Sequence, residues 1–470
     1  LPNKPSRTTF QQRLNEMVDS LRNDIVTGKW CVGQFLPSIT QLSKTYQLSI
    51  NSVQKGLDRL EAESLIERLP RVGIRVMDSA KQEPVTLSLG YYPSLLKDIE
   101  LAAIIEQFQA DCPHIRIQLV PLQYASFNDI TQFYLSSQLV DVITINHIHF
   151  LNFKHEHADL SELLEPIAAQ SGIQPYIADT FTQDRSHFAQ PVAFSPVVLC
   201  YNKQIIQELG KPLPSFDWTW HDFMGYLDDL EMNSDFGMSF YFYPANYNRW
   251  PIFLLQSAVP YLQEKNVLLQ LDHPSVIDGI QACYDLIHRN KRRMLLLSDD
   301  DFNVEEMFAQ QKISIMMTTY FNLNKLRNEN DLPFELAPLP YVHTPKTMLA
   351  TIGLAVNARS NYKEAAKTFV DYVVSYKSQL LIRKHTYSIP ALQAAAEWEG
   401  EESIYRPESF HIYQKLTDTF AHLDDLNLNV REKEALLNVM KMYWTDMISK
   451  EEVASHLSEI GLPSNMIFNH

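Results

Sequence analysis

The chain has 470 residues, 45% of them hydrophobic and 20% charged, which supplies enough apolar material for packed cores and excludes wholesale disorder. That length predicts about two to four domains. No apolar run of about 18 residues occurs, and the start LPNKPSRTTFQQRLNEM lacks an apolar signal core, so the expectation is a cytoplasmic protein without a membrane partner. Cys31, Cys112, Cys200 and Cys283 are too scattered for a zinc site or redox pair and are expected as free buried thiols. The net charge of −16 divides unevenly. Residues 1–80 hold 11 Lys+Arg against 8 Asp+Glu, and the remaining chain holds 29 against 48. A small basic module ahead of a large acidic body suggests that the module meets a polyanion.

From Phe10 to Val26, apolar residues at Phe10, Leu14, Val18, Leu21 and Ile25 recur at helical spacing, and Gly28 stops the run. After Leu36-Pro37, Ser38 is placed to cap a helix, with Gln41 three residues on completing a capping box. Leu48-Ser49 opens another helix only a turn later, running through Val53, Leu57 and Leu60. Two helices across a tight turn predict a helix-turn-helix. Leu65–Arg68 and Gly73–Val76 then alternate as two short strands, a wing.

The stretch IVTGKWCVGQFLPSITQLSKTYQLSINSVQKGLDRLEAESLIERLPRVGIRV resembles the winged helix-turn-helix of GntR-family transcription regulators. It keeps the Leu-Pro-Ser, the Leu-x-x-x-Tyr helix, the Ser-x-x-Ser-Val start and a glycine-bearing wing. The resemblance implies that Ser49, Asn51, Ser52 and Gln54 face base edges in the major groove of a duplex operator. Lys44, Lys55, Arg68, Arg71 and Arg75 are expected at phosphates or, for the wing arginines, the minor groove, and Ser38, Thr40 and Gly73 are expected as further DNA-binding positions. Two departures stand out. Thr40 occupies the place of a common family arginine, and Ile50 and Gln54 stand where arginines open the recognition helix, so base preference does not carry over. Ser49 has an equally good reading as a plain N-cap.

Residues 78–84 are polar and end in Pro84, which predicts a linker between a module at 1–77 and a body at 85–470. Val85–Tyr91 alternates as a strand, Ile99–Phe108 has a helical face, and Ile115–Val120 and Asp141–Ile145 are further strands. Alternating strands and helices make an α/β sheet, which takes ligands at the carboxyl ends of its strands. Those ends carry Tyr91-Tyr92-Pro93 and Asn146-His147-Ile148-His149.

The body resembles bacterial extracellular solute-binding proteins of the sugar-binding, maltose-binding class over most of 85–400. The match rests on Ser136 to Asp141-Val-Ile, Tyr201-Asn-Lys203, Trp218-Thr-Trp220-His-Asp-Phe223, Phe308 to Met316, Ala337-Pro-Leu-Pro340, Gly353 to Asn357, Lys363 to Phe369 and Ile389-Pro390. It implies a two-lobed α/β domain of the periplasmic-binding-protein type. One lobe is expected from 85–194 and 334–385 and the other from 197–330 and 386–470, with crossings near Phe194–Pro196 and 331–333. The glycines usual before Asp141 and near 257–259 are absent.

Aromatic rings stack on the apolar face of a sugar while polar groups take its hydroxyls. The segment Phe240 to Ile252 resembles the sugar-stacking Trp-Pro-Leu segment of the maltose-binding class, which makes Trp250 the leading ligand contact. Tyr92, Asn146, His147, Tyr247, Arg249, Tyr320, Asn322 and Tyr387 are expected near other cleft edges, while Trp218 and Trp220 are expected to be structural. The acidic pairs Asp228-Asp229 and Asp299–Asp301 read as solvated runs rather than catalytic ones, and the histidines at 147, 149, 155 and 157 lack a partner set for a metal. No cofactor and no catalysis are expected. The expectation is a homodimeric regulator that senses a carbohydrate and alters its grip on an operator. The alternatives are a solute-binding protein of a sugar transport system, or a regulator whose body only dimerises.

Overall fold

The computed structural model describes residues 7–26, 30, 33–69, 72–77, 85–122, 127–214, 217–232, 237–257, 271–289, 304–328, 332–426 and 428–460. The expected linker at 78–84, Arg71 and Cys31 lie outside them. Cys112, Cys200 and Cys283 are free and buried. No helix among the described residues is long and apolar enough to cross a membrane. The chain forms two compact units, residues 1–88 with 102–119 and residues 89–101 with 120–470.

The first unit opens with α1 (Arg7–Val26), α2 (Ile39–Thr45) and α3 (Ile50–Ala62), followed by the hairpin β1 (Ile66–Leu69) and β2 (Gly73–Val76). Leu14, Met17, Val18, Leu21 and Ile25 form the buried stripe of α1, and Val53, Leu57 and Leu60 answer it from α3. The two helices approach closely at Gly56, where a Cβ would run into the side chains of Met17, Val18 and Leu14. That contact fixes the roll of α3. The hairpin pairs Ile66 with Val76 and Leu69 with Gly73, and Phe35 bridges to Arg75. The unit also holds the start of β3 (Val85–Tyr91), most of α5 (Leu101–Asp111) and most of β4 (Ile115–Pro121), with Val85 N donating to His114 O at 2.9 Å. Helix α5 begins two residues later than its periodicity predicts, because Glu100 takes a left-handed φ of 55° that no helix continues through.

In the second unit, α4 (Leu95–Asp98) follows β3, and α6 (Phe127–Ser136) precedes β5 (Val142–Asn146) and α7 (His147–Glu156). A small hairpin, β6 (Thr182–Gln183) and β7 (Ser186–His187), leads into the long strand β8 (Ala189–Asn202). Then come α8 (Lys203–Glu208), α9 (Trp220–Met232), β9 (Met238–Tyr241), α10 (Pro251–Leu255), α11 (Pro274–Arg289), α12 (Val304–Ala309), β10 (Ile313–Thr319) and α13 (Tyr320–Leu323). The remainder is β11 (Phe334–Ala337), β12 (Thr347–Val356), α14 (Lys363–Val373), α15 (Tyr376–His385), β13 (Ile389–Pro390), α16 (Gln393–Ala396), β14 (Phe420–Ala421), α17 (Val430–Trp444) and α18 (Lys450–Ile460).

The end of β3 runs parallel to β5, with Leu89 opposite Val142, and β12 lies antiparallel on the other side of β5. All fourteen residues of β8 are buried, and it serves two sets of partners. Ala189 to Pro196 pair with β12, while Val197 to Tyr201 pair with β10 and Leu199 to Asn202 with β11. Strands buried on both faces read as continuous apolar runs, which is how Val197-Val-Leu-Cys200 appears in the sequence. Strand β9 adds parallel to β10. Helix α9 starts at Trp220, where Thr219 and Asp222 exchange hydrogen bonds as a cap.

Candidate functional site

In the first unit the caps are built as the sequence predicts. Ser38 Oγ accepts from Gln41 N while Gln41 Oε1 accepts from Ser38 N, and Ser49 Oγ accepts from Ser52 N at 3.2 Å. Burial of Val53, Leu57 and Leu60 turns Ile50, Asn51, Gln54 and Lys55 outward, and Thr40 and Lys44 are exposed on α2. Among the described residues no side-chain hydrogen bond or ion pair engages Lys44, Asn51, Gln54 or Lys55. Ser52 is different from the expectation: it is 5% exposed and its hydroxyl lies 2.6 Å from that of Ser49, so it closes the helix start instead of facing a base.

The wing arginines are also spoken for. Arg68 Nε donates to Glu61 at 2.8 Å, and its Nη2 donates to Asp58, which raises its pKa. Arg75 Nη2 meets Glu67 at 2.6 Å. Both were expected at phosphate or the minor groove; each instead carries an intramolecular countercharge that DNA would have to displace. Gly73, with φ of 146°, lets the wing turn close over the ring of Phe35.

In the second unit, three expected residues, Tyr92, Asn146 and His147, gather with His149 where β3 and β5 end. Asn146 caps α7 by accepting from His149 N at 2.8 Å. The Tyr92 hydroxyl accepts from Asn146 N at 3.2 Å and shares a hydrogen bond with His149 Nδ1 at 2.7 Å. His147, 3% exposed, accepts from Thr351 N on Nδ1, so its neutral ring carries a proton on Nε2, an atom with no hydrogen-bond partner among the described residues. Burial, with His422, His149 and Lys433 nearby, pushes the His147 pKa down to about 3, so the ring stays neutral.

His147 lines a pocket of about 400 Å³. Phe150 and Leu151, both buried, line it together with Pro175, Tyr176, Asp179, Thr180 and Thr182. His422 and the exposed Asp424, Asp425 and Lys154 complete the lining. The pocket is thus lined by aromatic and aliphatic side chains, by the neutral imidazole of His147 and by the carboxylates of three aspartates. Those are the groups that hold a polyol, whose hydroxyls both donate and accept. Among the described residues no group of three or more His, Cys, Asp or Glu is arranged to hold a metal.

The remaining expected contacts do not line this pocket. Trp250 is 0% exposed, packed 5.9 Å centroid to centroid from the half-buried Tyr247, and is a core residue rather than an open stacking platform. Tyr320, also 0% exposed, donates from its hydroxyl to Phe410 O at 2.7 Å. Tyr387 is buried edge-on against Phe334, with its backbone N–H on Asn324 Oδ1 at 2.7 Å. Each fills space that an aromatic count cannot distinguish from a binding surface. Arg249 is buried, its Nε has no hydrogen-bond partner among the described residues, and burial pulls its pKa down to about 10. Asn322 is half-buried at the start of α13, where Thr319 Oγ1 accepts its N–H. Trp220 is structural as expected, donating from Nε1 to Gln256 at 2.8 Å.

Sequence reasoning missed Tyr176, Asp179, His422, Asp424 and Asp425. The last three sit in the stretch beyond residue 400, where only helical periodicity is readable. The available signal was compositional: His422-Leu-Asp-Asp425 is a polar interruption between apolar residues that are buried.

Residues 14–76 match the family model described as bacterial regulatory proteins, gntR family, and residues 94–380 match that of the bacterial extracellular solute-binding protein. The chain belongs to the bacterial extracellular solute-binding protein family and carries a GntR DNA-binding module ahead of that body. Both families are non-enzymatic in kind. Three solved structures are similar at a TM-score of 0.67. An ABC substrate-binding protein from Listeria monocytogenes in complex with cycloalternan is 14% identical, covering 82% of this chain and 100% of its own. The GacH receptor of Streptomyces glaucescens, solved unliganded and with acarbose, is 15% identical, covering 80% of this chain and 96% of its own. Maltose-bound MalE3 of T. maritima is 16% identical, covering 80% and 99%. These likenesses define the fold as that of two-lobed, maltose-type substrate-binding proteins. No curated protein sequence matches the chain.

Proposed function

We propose that the chain is a ligand-responsive transcription regulator: the GntR module grips an operator as one half of a homodimer, and a carbohydrate bound by the body changes that grip. The observation that carries this reading is the joining of a reading helix with an outward polar face to a body whose pocket is lined by His147, Tyr176 and three aspartates. The fold neighbours bear cycloalternan, acarbose and maltose, which supports a carbohydrate as the effector class. Hydroxyls of the sugar donate to Asp179, Asp424 and Asp425, one oxygen accepts from His147, and its apolar face rests on Phe150 or Tyr176.

A coupling of about 1–3 kcal/mol between the two ligands gives a 5- to 150-fold change in operator affinity. Thermal-shift screening of the full chain against mono- and oligosaccharides tests the sensing half. A sugar at about 100 times its Kd adds about 2.7 kcal/mol of stability. A panel in which no sugar shifts the melting point, while operator binding persists, supports a body that serves only as a pairing scaffold.

A further inference from the structure

We infer that Ile50 reads the 5-methyl group of a thymine, with Asn51 and Gln54 set for neighbouring adenines, so that the chain prefers a T·A-rich half-site over a guanine-led one. The inference rests on the DNA-binding reading above and adds what that module reads. Ile50 is 51% exposed although the unit has a complete apolar core around Met17, Val53, Leu57 and Leu60, each 0% exposed. A single exposed isoleucine is ordinary on a protein surface. This one stands in the first turn of the second helix of a helix-turn-helix, the turn that enters the major groove. The close approach at Gly56 prevents α3 from rolling to bury it. Asn51 and Gln54 share its exposed face.

The chemistry of the groove then selects the base pair. Thymine alone presents an apolar group there, its C5-methyl, and adenine presents the N6 and N7 pair that an Asn or Gln amide matches. Guanine is most often read by a free guanidinium. Four arginines of this module are engaged within it, and none of the four stands on the exposed face of Ile50, Asn51 and Gln54. Arg22 is held by Glu63 and Asp19, Arg59 by Asn15, Arg68 by Asp58 and Glu61, and Arg75 by Glu67. Lys44 and Lys55, exposed on α2 and α3, supply phosphate contacts that place the helix without choosing sequence.

The test uses the full chain. A half-site is obtained by selection from random duplexes, and affinities are measured by anisotropy at fixed salt, replacing each thymine singly by deoxyuridine to delete only the methyl. The expected result is a T·A-rich half-site in which one substitution weakens wild-type binding about fourfold, the worth of one buried methyl-sized group. Ile50→Ala, melting as the wild type does, weakens the thymine duplex by a similar factor and no longer distinguishes thymine from deoxyuridine. The inference is overturned if the selected half-site is guanine-led without a methyl effect, or if Ile50→Ala still discriminates. Binding to no duplex at all is a distinct outcome: it overturns the DNA-binding reading itself.

Discussion

The ring of His147, at the start of α7, meets that of His422 edge-on with centroids 6.1 Å apart. This contact joins the carboxyl end of a central strand to the segment beyond residue 400, and the two residues line one pocket.

The pair makes stability depend on pH in a defined sense. His147 has a folded pKa of about 3 against an ordinary value of 6.5, because burial and the neighbouring His422, His149 and Lys433 disfavour its charge. Between those values the unfolded chain binds the extra proton, so stability falls as pH drops from 6.5 toward 3. Each pH unit removes about 1.4 kcal/mol through this group. Urea unfolding at pH 7, 6, 5 and 4 is expected to show a shallower decline for His147→Gln by about that amount per unit. Parallel curves for variant and wild type contradict the assignment.

Asp98 contributes with the opposite sign. It is 9% exposed, and the nearby cations are committed, Lys325 to Glu305 at 2.9 Å and Arg327 to Glu100. Burial therefore dominates over its hydrogen bonds to Ser94 and Asn324 and raises its pKa to about 7 from an ordinary 3.8. In that window the native state binds the extra proton, so stability falls as pH rises through it. Asp98→Asn is expected to be more stable than wild type at pH 8, with the gain shrinking by about 1.4 kcal/mol per unit on acidification and gone near pH 4. A gain that does not change with pH refutes this.

Trp250 and Asp424 are expected to separate stability from binding. Trp250→Ala empties a fully buried site and costs about 3–5 kcal/mol in denaturant unfolding. Asp424→Asn, at an exposed pocket-lining position, leaves stability within about 0.5 kcal/mol while weakening any sugar found by thermal shift. A Trp250→Ala chain of wild-type stability that fails to bind sugar restores the stacking role for Trp250.

Gly279 on α11 faces the backbone of α10. A Cβ there would collide with the carbonyl oxygen of Phe253, and a backbone atom does not move aside as a side chain does. Gly279→Ala is expected to lower stability by about 1–3 kcal/mol despite its better helix propensity. A rise in melting temperature, as propensity alone predicts, contradicts the packing.

Local rules made the module legible. Ser38 with Gln41 and Ser49 with Ser52 announce caps within three residues, and periodicity picks out Leu14, Val18 and Leu21, so chemistry and geometry lie in one short window. Strands such as Val85–Tyr91 and Val142–Asn146 were equally readable, and with them Asn146 and His147 at a strand end. Burial was not. Trp250, Tyr320 and Tyr387 have the composition of a sugar platform, and only tertiary packing against Tyr247, Phe410 and Phe334 assigns them to the core. The fates of Arg68 and Arg75 depend on Asp58, Glu61 and Glu67, carboxylates seven to ten residues away whose reach no local pattern encodes. Asp424 and Asp425 line one pocket with His147 across more than two hundred and seventy residues, a separation at which sequence spacing carries no information.

The central claim is that the sugar pocket and the reading helix are thermodynamically linked. The direct measurement is the anisotropy of a labelled operator duplex titrated with the full chain at fixed salt, with and without a saturating sugar identified by thermal shift. The account predicts a 5- to 150-fold change in operator Kd, reduced in Asp424→Asn at the same sugar concentration. An operator Kd that stays the same when the sugar is demonstrably bound contradicts it.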